Sequence, residues 1–340
     1  MKKNSTLVLS IVIICSIGFI LFMYSLKSWP IDLGLGYGAS YELDITPGSS
    51  LNKVLYIIEE NTDFNHSSML KIAKYFSRFK SRKVQQGKHK IDNNTNIGLI
   101  IETITTPSEY IVDIVFPEGK DLEQIAIIIS KKLGFDARDV IKRSMDRDFI
   151  RSLGINDALS LEGYLFPDTY RFHLTSTIDE VLARLVNNFF EEYNKYVSVK
   201  DNKTKLKSVH AIVTMASIIQ GEAAHNDEMR MISSVYNNRI KRNMRLEADP
   251  TVQYAIPGPN KRLYNKDYKF SHPYNTYMNK GLPPGPINNP GRSAIVAAIQ
   301  PKKTNYIFMV ANPKTSYHWF AETIQGHNKN KRKRDRARGK

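Results

Sequence analysis

Residues 7–24, LVLSIVIICSIGFILFMY, hold no charged side chain over eighteen consecutive positions. At 1.5 Å rise per residue such a helix approaches the thickness of a bilayer's hydrocarbon core, about 30 Å. A membrane-spanning helix over residues 7–26 is therefore expected. Lys2 and Lys3 precede it, so the positive-inside rule puts residues 1–6 in the cytoplasm and the rest of the chain outside. A cleaved signal peptide is the rival reading. The run is long for a signal h-region, however, and no small-x-small cleavage site follows it directly. The expectation is an uncleaved single-pass anchor in the cytoplasmic (inner) membrane, with an extracytoplasmic body.

Cys15 is the only cysteine and lies inside that run. The exported part then has neither a disulfide nor a thiol nucleophile, which removes cysteine catalysis and Cys-ligated zinc. With 340 residues, two or three domains are expected. The net charge of +16 points to an anionic partner. Export weakens the nucleic-acid version of that reading. The last stretch, KNKRKRDRARGK at 329–340, is expected to be a solvated basic tail.

Residues 27–42 are glycine-rich and read as a linker. Two segments then share a design, ITPGSSLNKVLYII at 45–58 and VFPEGKDLEQIAIII at 115–129. In each, an extended start leads through Pro and Gly into a helix. Gly48, Leu51, Val54 and Ile57 match Gly119, Leu122, Ile125 and Ile128 at a spacing of three, which is helical. Helices are expected over 68–78 and 178–197, and a strand, turn and helix over 87–104. Ser208 is a candidate cap for a helix carrying Ala211, Ile212, Met215, Ala216 and Ile219 on one face. A further helix starting near Asn226 or Asp227 follows, with Ile232, Val235, Tyr236, Arg239 and Ile240 in phase. Residues 248–291 read as mostly irregular loops. A helix at 293–299 and a closing hairpin, 305–312 with 317–323, end the body.

Glu222 closes the apolar stretch MASIIQG. Gly221 is a poor helix-interior residue, so the helix breaks there. A carboxyl at the mouth of an apolar helix is partly desolvated, and desolvation disfavours the charged form. That suits a general acid near neutral pH. The alternative is an ordinary surface glutamate at a helix end. Tyr254, Tyr264, Tyr268, Tyr274 and Tyr277 crowd into 24 residues downstream. Aromatic faces with hydroxyls suit sugar rings, although a tyrosine-rich core would read the same way. Glu162 and Asp168 read as turn and cap residues, and Asp249 as either a loop brace or a site residue. His210, His225, His272, His318 and His327 show no metal-ligand spacing. No phosphate loop and no nucleophile elbow is present, so no metal and no cofactor is expected.

Four segments, EGYLFPDTYRF (162–172), MASIIQGEA (215–223), MRLEADPTVQY (244–254) and YNTYMNKGLPPGPINNPG (274–291), together resemble the signature segments of the YceG-like family, the endolytic murein transglycosylases (MltG). The resemblance spans roughly residues 40–328. It implies an α+β fold, with one N-terminal transmembrane helix, LysM-like αβ units over 43–158 and a mixed helical/β catalytic domain over 159–328. It puts the catalytic carboxyl at Glu222. Relatives often carry a second acid two positions earlier, where this chain has Gln220. It implies peptidoglycan glycan strands as substrate, with polymerases such as penicillin-binding proteins as partners.

The implied reaction needs only one carboxyl group. The acid protonates the oxygen between MurNAc and GlcNAc and then takes the proton of the sugar's own 6-hydroxyl. A 1,6-anhydro-MurNAc end forms and the growing strand is terminated. No water is activated, so the second carboxylate of ordinary glycosidases is unnecessary. Tyr254, Tyr274, Asn275 and Tyr277 are the candidate substrate-orienting residues. The rival reading is a non-catalytic, membrane-anchored peptidoglycan-binding scaffold.

Overall fold

The computed structural model describes residues 30–36, 39–63, 83–107, 111–174, 176–197, 206 and 208–339. The expected spanning helix over 7–26 and the expected helix over 68–78 lie outside the described residues. Among the described residues, no helix is long and apolar enough to cross a membrane. The architecture is α+β, with two-stranded sheets set among helices. The chain divides into two compact units, Met1–Val112 with His173–Thr175, and Asp113–Phe172 with Ser176–Lys340. The division falls inside the stretch 43–158 where strand-turn-helix units are expected.

In the first unit, β1 (Pro30–Asp32), β2 (Ser40–Ile45), α1 (Leu51–Asn61), β3 (Gly87–Asp92), β4 (Asn94–Asn96) and α2 (Ile97–Thr105) follow in order. Strands β2 and β3 pair antiparallel from Ser40↔Asp92 to Ile45↔Gly87, and β1 pairs antiparallel with β4. Alternation sends Leu43, Ile45 and Ile91 inward. Helices α1 and α2 cover them with Val54, Leu55, Ile58, Ile97, Ile100 and Ile104. Ser50 caps α1 by accepting from Lys53 N at 3.3 Å, and Asn96 caps α2 by accepting from Leu99 N at 2.9 Å.

The second unit begins within β5 (Ile111–Val115), at Asp113, and continues with α3 (Leu122–Leu133), α4 (Ala137–Ser144), α5 (Arg147–Ser152) and β6 (Thr169–His173) as far as Phe172, β6 being the partner of β5. Both expected strand-turn-helix segments form. Gly48 (φ 77°) and Gly119 (φ 74°) take the same left-handed conformation at the turn, which L side chains resist. Helices α6 (Ile178–Val197), α7 (Val209–Glu222), α8 (Met229–Lys241), α9 (Asp249–Ala255) and α10 (Arg292–Ile299) follow. Helix α10 packs against α6, α7 and α8. One apolar face was expected on α7, but every residue from Ile212 to Ile219 is buried. DPTVQY forms α9 instead of the expected loop, with Pro250 in its first turn, where the missing N–H costs no helical bond. The hairpin forms with β7 (Phe308–Ala311) antiparallel to β8 (His318–Ala321).

The basic end departs from expectation. Helix α11 (Ile324–Ala337) contains most of the expected tail and packs on β7 and β8. Thr323 caps it, accepting from Gly326 N at 3.2 Å. Asn330 is buried and donates to Phe320 O at 3.3 Å, and Lys333 lies over the Trp319 ring. Lysine and arginine are good helix formers, so a charge run with one anchored face folds.

A polar knot fixes the second unit. Asn289 is fully buried, and all four hydrogen-bonding positions of its amide are filled. Its Oδ1 accepts from Gly163 N and Leu165 N, each at 2.9 Å. Its Nδ2 donates to Lys120 O at 2.9 Å and to Glu162 Oε1 at 3.1 Å. Glu162, 3% exposed, accepts from Leu122 N at 3.0 Å, at the start of α3. Burial pushes the Glu162 carboxyl up to about 8 from 4.5, against the pull of the Leu122 and Gly163 N–H groups. A raised carboxyl favours folding while protonated, so the native state holds a proton that the unfolded chain has lost. Stability is then greatest below pH 4.5 for this group and declines until about pH 8. Glu162→Gln is expected to flatten that decline, read as melting temperature against pH for the two proteins. Parallel curves would remove Glu162 as its source.

Candidate active site

Ser208 caps α7, accepting from Ala211 N at 3.1 Å, as its position suggested. The helix ends because Ala223 turns extended, at φ −82° and ψ 127°. Gly221 stays helical, and its role is clearance. A Cβ there would lie 2.8 Å from Pro250 Cβ, so glycine lets the start of α9 approach. Glu222 is thereby held opposite Asp249.

The Glu222 side chain is 19% exposed. The Tyr236 hydroxyl, from the buried face of α8, donates to its Oε2 at 3.3 Å. His318, the first residue of β8, brings Nε2 to 3.5 Å from its Oε1. The other side of that imidazole faces Glu228, in the single 3-10 turn before α8. Nδ1 donates to Glu228 Oε1 at 3.0 Å, and the His318 backbone N–H donates to Oε2 at 2.9 Å. Burial pulls His318 down, but hydrogen bonds and charge from Glu222 and Glu228 outweigh it, so its pKa is raised.

Glu222 opens into a cleft of about 620 Å³, wholly within the second unit. Asp249, Gln253, Tyr254, Asn288 and His318 share its walls, with Asp121 from the β5–α3 turn. Asp249 was open between two readings from sequence, and the structure brings it into the cleft. Its Oδ1 accepts the Tyr277 hydroxyl at 2.6 Å and its Oδ2 the Tyr268 hydroxyl at 3.4 Å. Desolvation raises its pKa and the Glu222 charge adds to this, while the two phenols oppose it. Asn288 is held by Nδ2 donating to Ser217 O at 2.9 Å, and its Oδ1 has no partner among the described residues. Gln220, where a second acid was looked for, accepts Gly291 N at 3.0 Å and ties α7 to the following loop. Among the described residues, no group of three or more His, Cys, Asp or Glu is arranged to hold a metal ion.

The four candidate substrate residues fall in different places. Tyr254 lines the cleft and is 38% exposed. Tyr274 stands behind it, ring centroids 4.9 Å apart. Tyr277 reaches the site through Asp249. Asn275 is fully buried and stays within its own loop. Its Nδ2 donates to Phe270 O at 2.8 Å and Tyr268 O at 3.1 Å, and its Oδ1 accepts Tyr277 N at 2.9 Å. It braces the loop that carries Tyr268 and Tyr277. Sequence reasoning missed Tyr236, Glu228 and the position of His318. Phase put Tyr236 on the inner face of its helix, and nothing local marked the other two.

Removing the Asn275 amide strands two carbonyls and an N–H, each a loss of about 1–3 kcal/mol when left unpaired. Asn275→Ala is therefore expected to lower the unfolding free energy read from urea titration by about 1–3 kcal/mol or more, with a lower midpoint, and to loosen both phenols from Asp249. An unchanged midpoint would contradict the brace.

Residues 43–333 match the model of the YceG-like family. An endolytic murein transglycosylase of Bacillus subtilis is 34% identical over 310 residues, covering 86% of this chain and 84% of the relative. One of Streptococcus pneumoniae is 29% identical over 238 residues, covering 63% of this chain and 43% of that protein. The crystal structure of a YceG-like protein from Listeria monocytogenes aligns with a TM-score of 0.60 at 32% identity, covering 86% of this chain and 99% of that one. This chain, with Glu222 at the mouth of a buried helix and a cleft in front of it, belongs to the YceG-like family.

Proposed function

We propose that this protein is an endolytic lytic transglycosylase of peptidoglycan. One observation carries the reading. In a chain of this family, whose relatives bear that name, the carboxyl that ends the buried helix α7 opens into the cleft. Glu222 reaches the cleft as a general acid must, with the Tyr236 hydroxyl donating to one oxygen and His318 Nε2 standing 3.5 Å from the other. It protonates the bridging oxygen between MurNAc and GlcNAc. The C1–O bond breaks with its electron pair on the departing oxygen. The 6-hydroxyl oxygen of MurNAc then bonds to C1 and gives its proton to the Glu222 carboxylate. The product is a 1,6-anhydro-MurNAc end, and no water is consumed.

Asp249 raises a second reading, because a hydrolase also needs a carboxylate to activate water. Both Asp249 oxygens already accept tyrosine hydroxyls, which favours a bracing role. Tyr254 offers an exposed ring for stacking on a sugar. The strand-turn-helix units within 43–158 act as LysM-like holders of glycan. Cleavage of nascent strands terminates their elongation, with peptidoglycan polymerases as partners.

The decisive comparison uses the full-length protein against Glu222→Gln on isolated sacculi. Gln keeps the shape but has no acidic proton, so anhydro-muropeptide release is expected to fall about 10²- to 10⁴-fold. Co-sedimentation with sacculi and melting temperature are expected to persist. Products heavier by one water in the wild type would support the hydrolase, and equal release by both proteins would sink the role of Glu222.

The residue 7–26 anchor, with the body outside the cytoplasmic membrane, is part of the same proposal. Protease added to spheroplasts is expected to digest the body. Full protection would place the body inside and end this reading.

A further inference from the structure

Glu228, His318 and Glu222 lie in a line through the imidazole, one carboxyl on each ring nitrogen. Glu228 is 6% exposed and the His318 side chain 4%, so their contact with each other is shielded from solvent. Glu228 accepts from both Nδ1 and the backbone N–H of His318. The Nδ1 hydrogen is therefore committed to Glu228. A neutral imidazole with that tautomer has a bare Nε2 lone pair, and it faces the Glu222 Oε1 lone pairs at 3.5 Å. Two acceptors do not hold that position against each other. A hydrogen on Nε2 or on Oε1 turns this facing pair of acceptors into a donor and an acceptor.

We infer that His318, oriented by Glu228, is a positioning residue that holds the catalytic proton of Glu222, shared between His318 Nε2 and Glu222 Oε1. The inference rests on the reading of Glu222 as general acid and deepens it. It answers how one carboxyl serves twice. The shared proton leaves on the departing glycosidic oxygen. The 6-hydroxyl proton then replaces it as the anhydro ring closes, and the triad ends as it began. The 3.5 Å spacing is long for a hydrogen bond, as catalytic contacts without substrate often are.

The charged groups facing the imidazole are Glu222, from the end of α7, and Glu228, from the turn before α8. Both act to raise its pKa against burial. On its own strand the Phe320 ring lies 6.2 Å away, and from α8 the Tyr236 hydroxyl engages the other oxygen of Glu222. The neighbouring acid Asp227 is engaged elsewhere, accepting the Tyr317 hydroxyl at 3.1 Å.

The test needs no substrate for its first half. In the full-length protein with labelled histidine, the His318 imidazole is titrated by NMR in wild type, Glu222→Gln and Glu228→Gln, its signal assigned by its loss in His318→Gln. Removing either negative neighbour is expected to lower the His318 titration by about one pH unit or more. In the second half, kcat/KM for anhydro-muropeptide release is followed against pH. Glu228→Gln keeps an acceptor for Nδ1–H but loses the charge, so the alkaline limb is expected to move to lower pH at unchanged melting temperature. A His318 titration that Glu222→Gln leaves in place would overturn the inference. So would a Glu228→Gln profile lowered equally at every pH. If Glu228→Gln does not fold, the Glu222→Gln titration still decides. Absence of sugar cleavage in the wild type would defeat the proposed function while leaving the titration to stand or fall by itself.

Discussion

Asn289 holds the second unit in register. Its side chain and backbone together bind the β5–α3 turn and the segment around Glu162 to the loop that leads into α10. The backbone N–H donates to Lys120 O, and its carbonyl accepts from Gly119 N, both at 2.9 Å. The same loop is stitched to α7 by Ile287 N on Ser217 Oγ, Asn288 Nδ2 on Ser217 O and Gly291 N on Gln220 Oε1. Three parts of the chain far apart in sequence thus meet along the last two turns of α7. A buried polar network specifies an arrangement only when every member is satisfied. The Asn289 amide meets that condition, while Asn288 Oδ1, beside it on the cleft wall, has no partner among the described residues. Asp121 and Asn288 stand on cleft walls opposite Glu222 because these bonds leave their loops no other course.

The end of α7 is an awkward place for an anion. A carboxylate in the last turn faces the negative end of the helix dipole, an effect of about 0.3–1 kcal/mol in exposed settings. Tyr236 supplies the positive end of an O–H dipole to one oxygen, and the His318 imidazole edge faces the other. Neither belongs to α7. Burial of α7 on all sides lets α8 and β8 come close enough to deliver these groups. The apolar packing of Ile212, Met215, Ile218 and Ile219 is in this sense the means by which Glu222 acquires its polar partners.

Much of this was legible in the sequence where the information is local. Ser208 as a cap, the phase of α8, the twin glycine turns and the closing hairpin each depend on neighbours within a few residues. Glu222 stood out because an acid ends an apolar run. The losses have a common cause. His318 meets Glu228 across 90 residues, and a lone histidine in a short strand carries no periodic signal. Asn275 looked like a sugar-facing amide because polarity says nothing of direction, and its carbonyl partners lie in its own loop. The basic end was read from charge alone. Thr323, Asn330 and the Trp319 ring, which give α11 a surface to fold upon, are not visible in a count of lysines and arginines.

Glu222 and Asp249 both face the cleft, and their environments separate them. Asp249 is gripped by two phenols whose own pKa values are raised by burial, so these hydroxyls keep their protons and donate without exchanging them. Glu222 meets one phenol and one imidazole. The imidazole exchanges protons in the neutral range, and its far nitrogen is anchored on a buried carboxylate. Two acids that look equivalent as letters thus differ in what they can pass on. Asp249 is suited to hold shape through the two phenols, and Glu222 to give up a proton and recover it. This asymmetry comes from which donor each acid meets, and α8, β8 and the loop braced by Asn275 supply those donors.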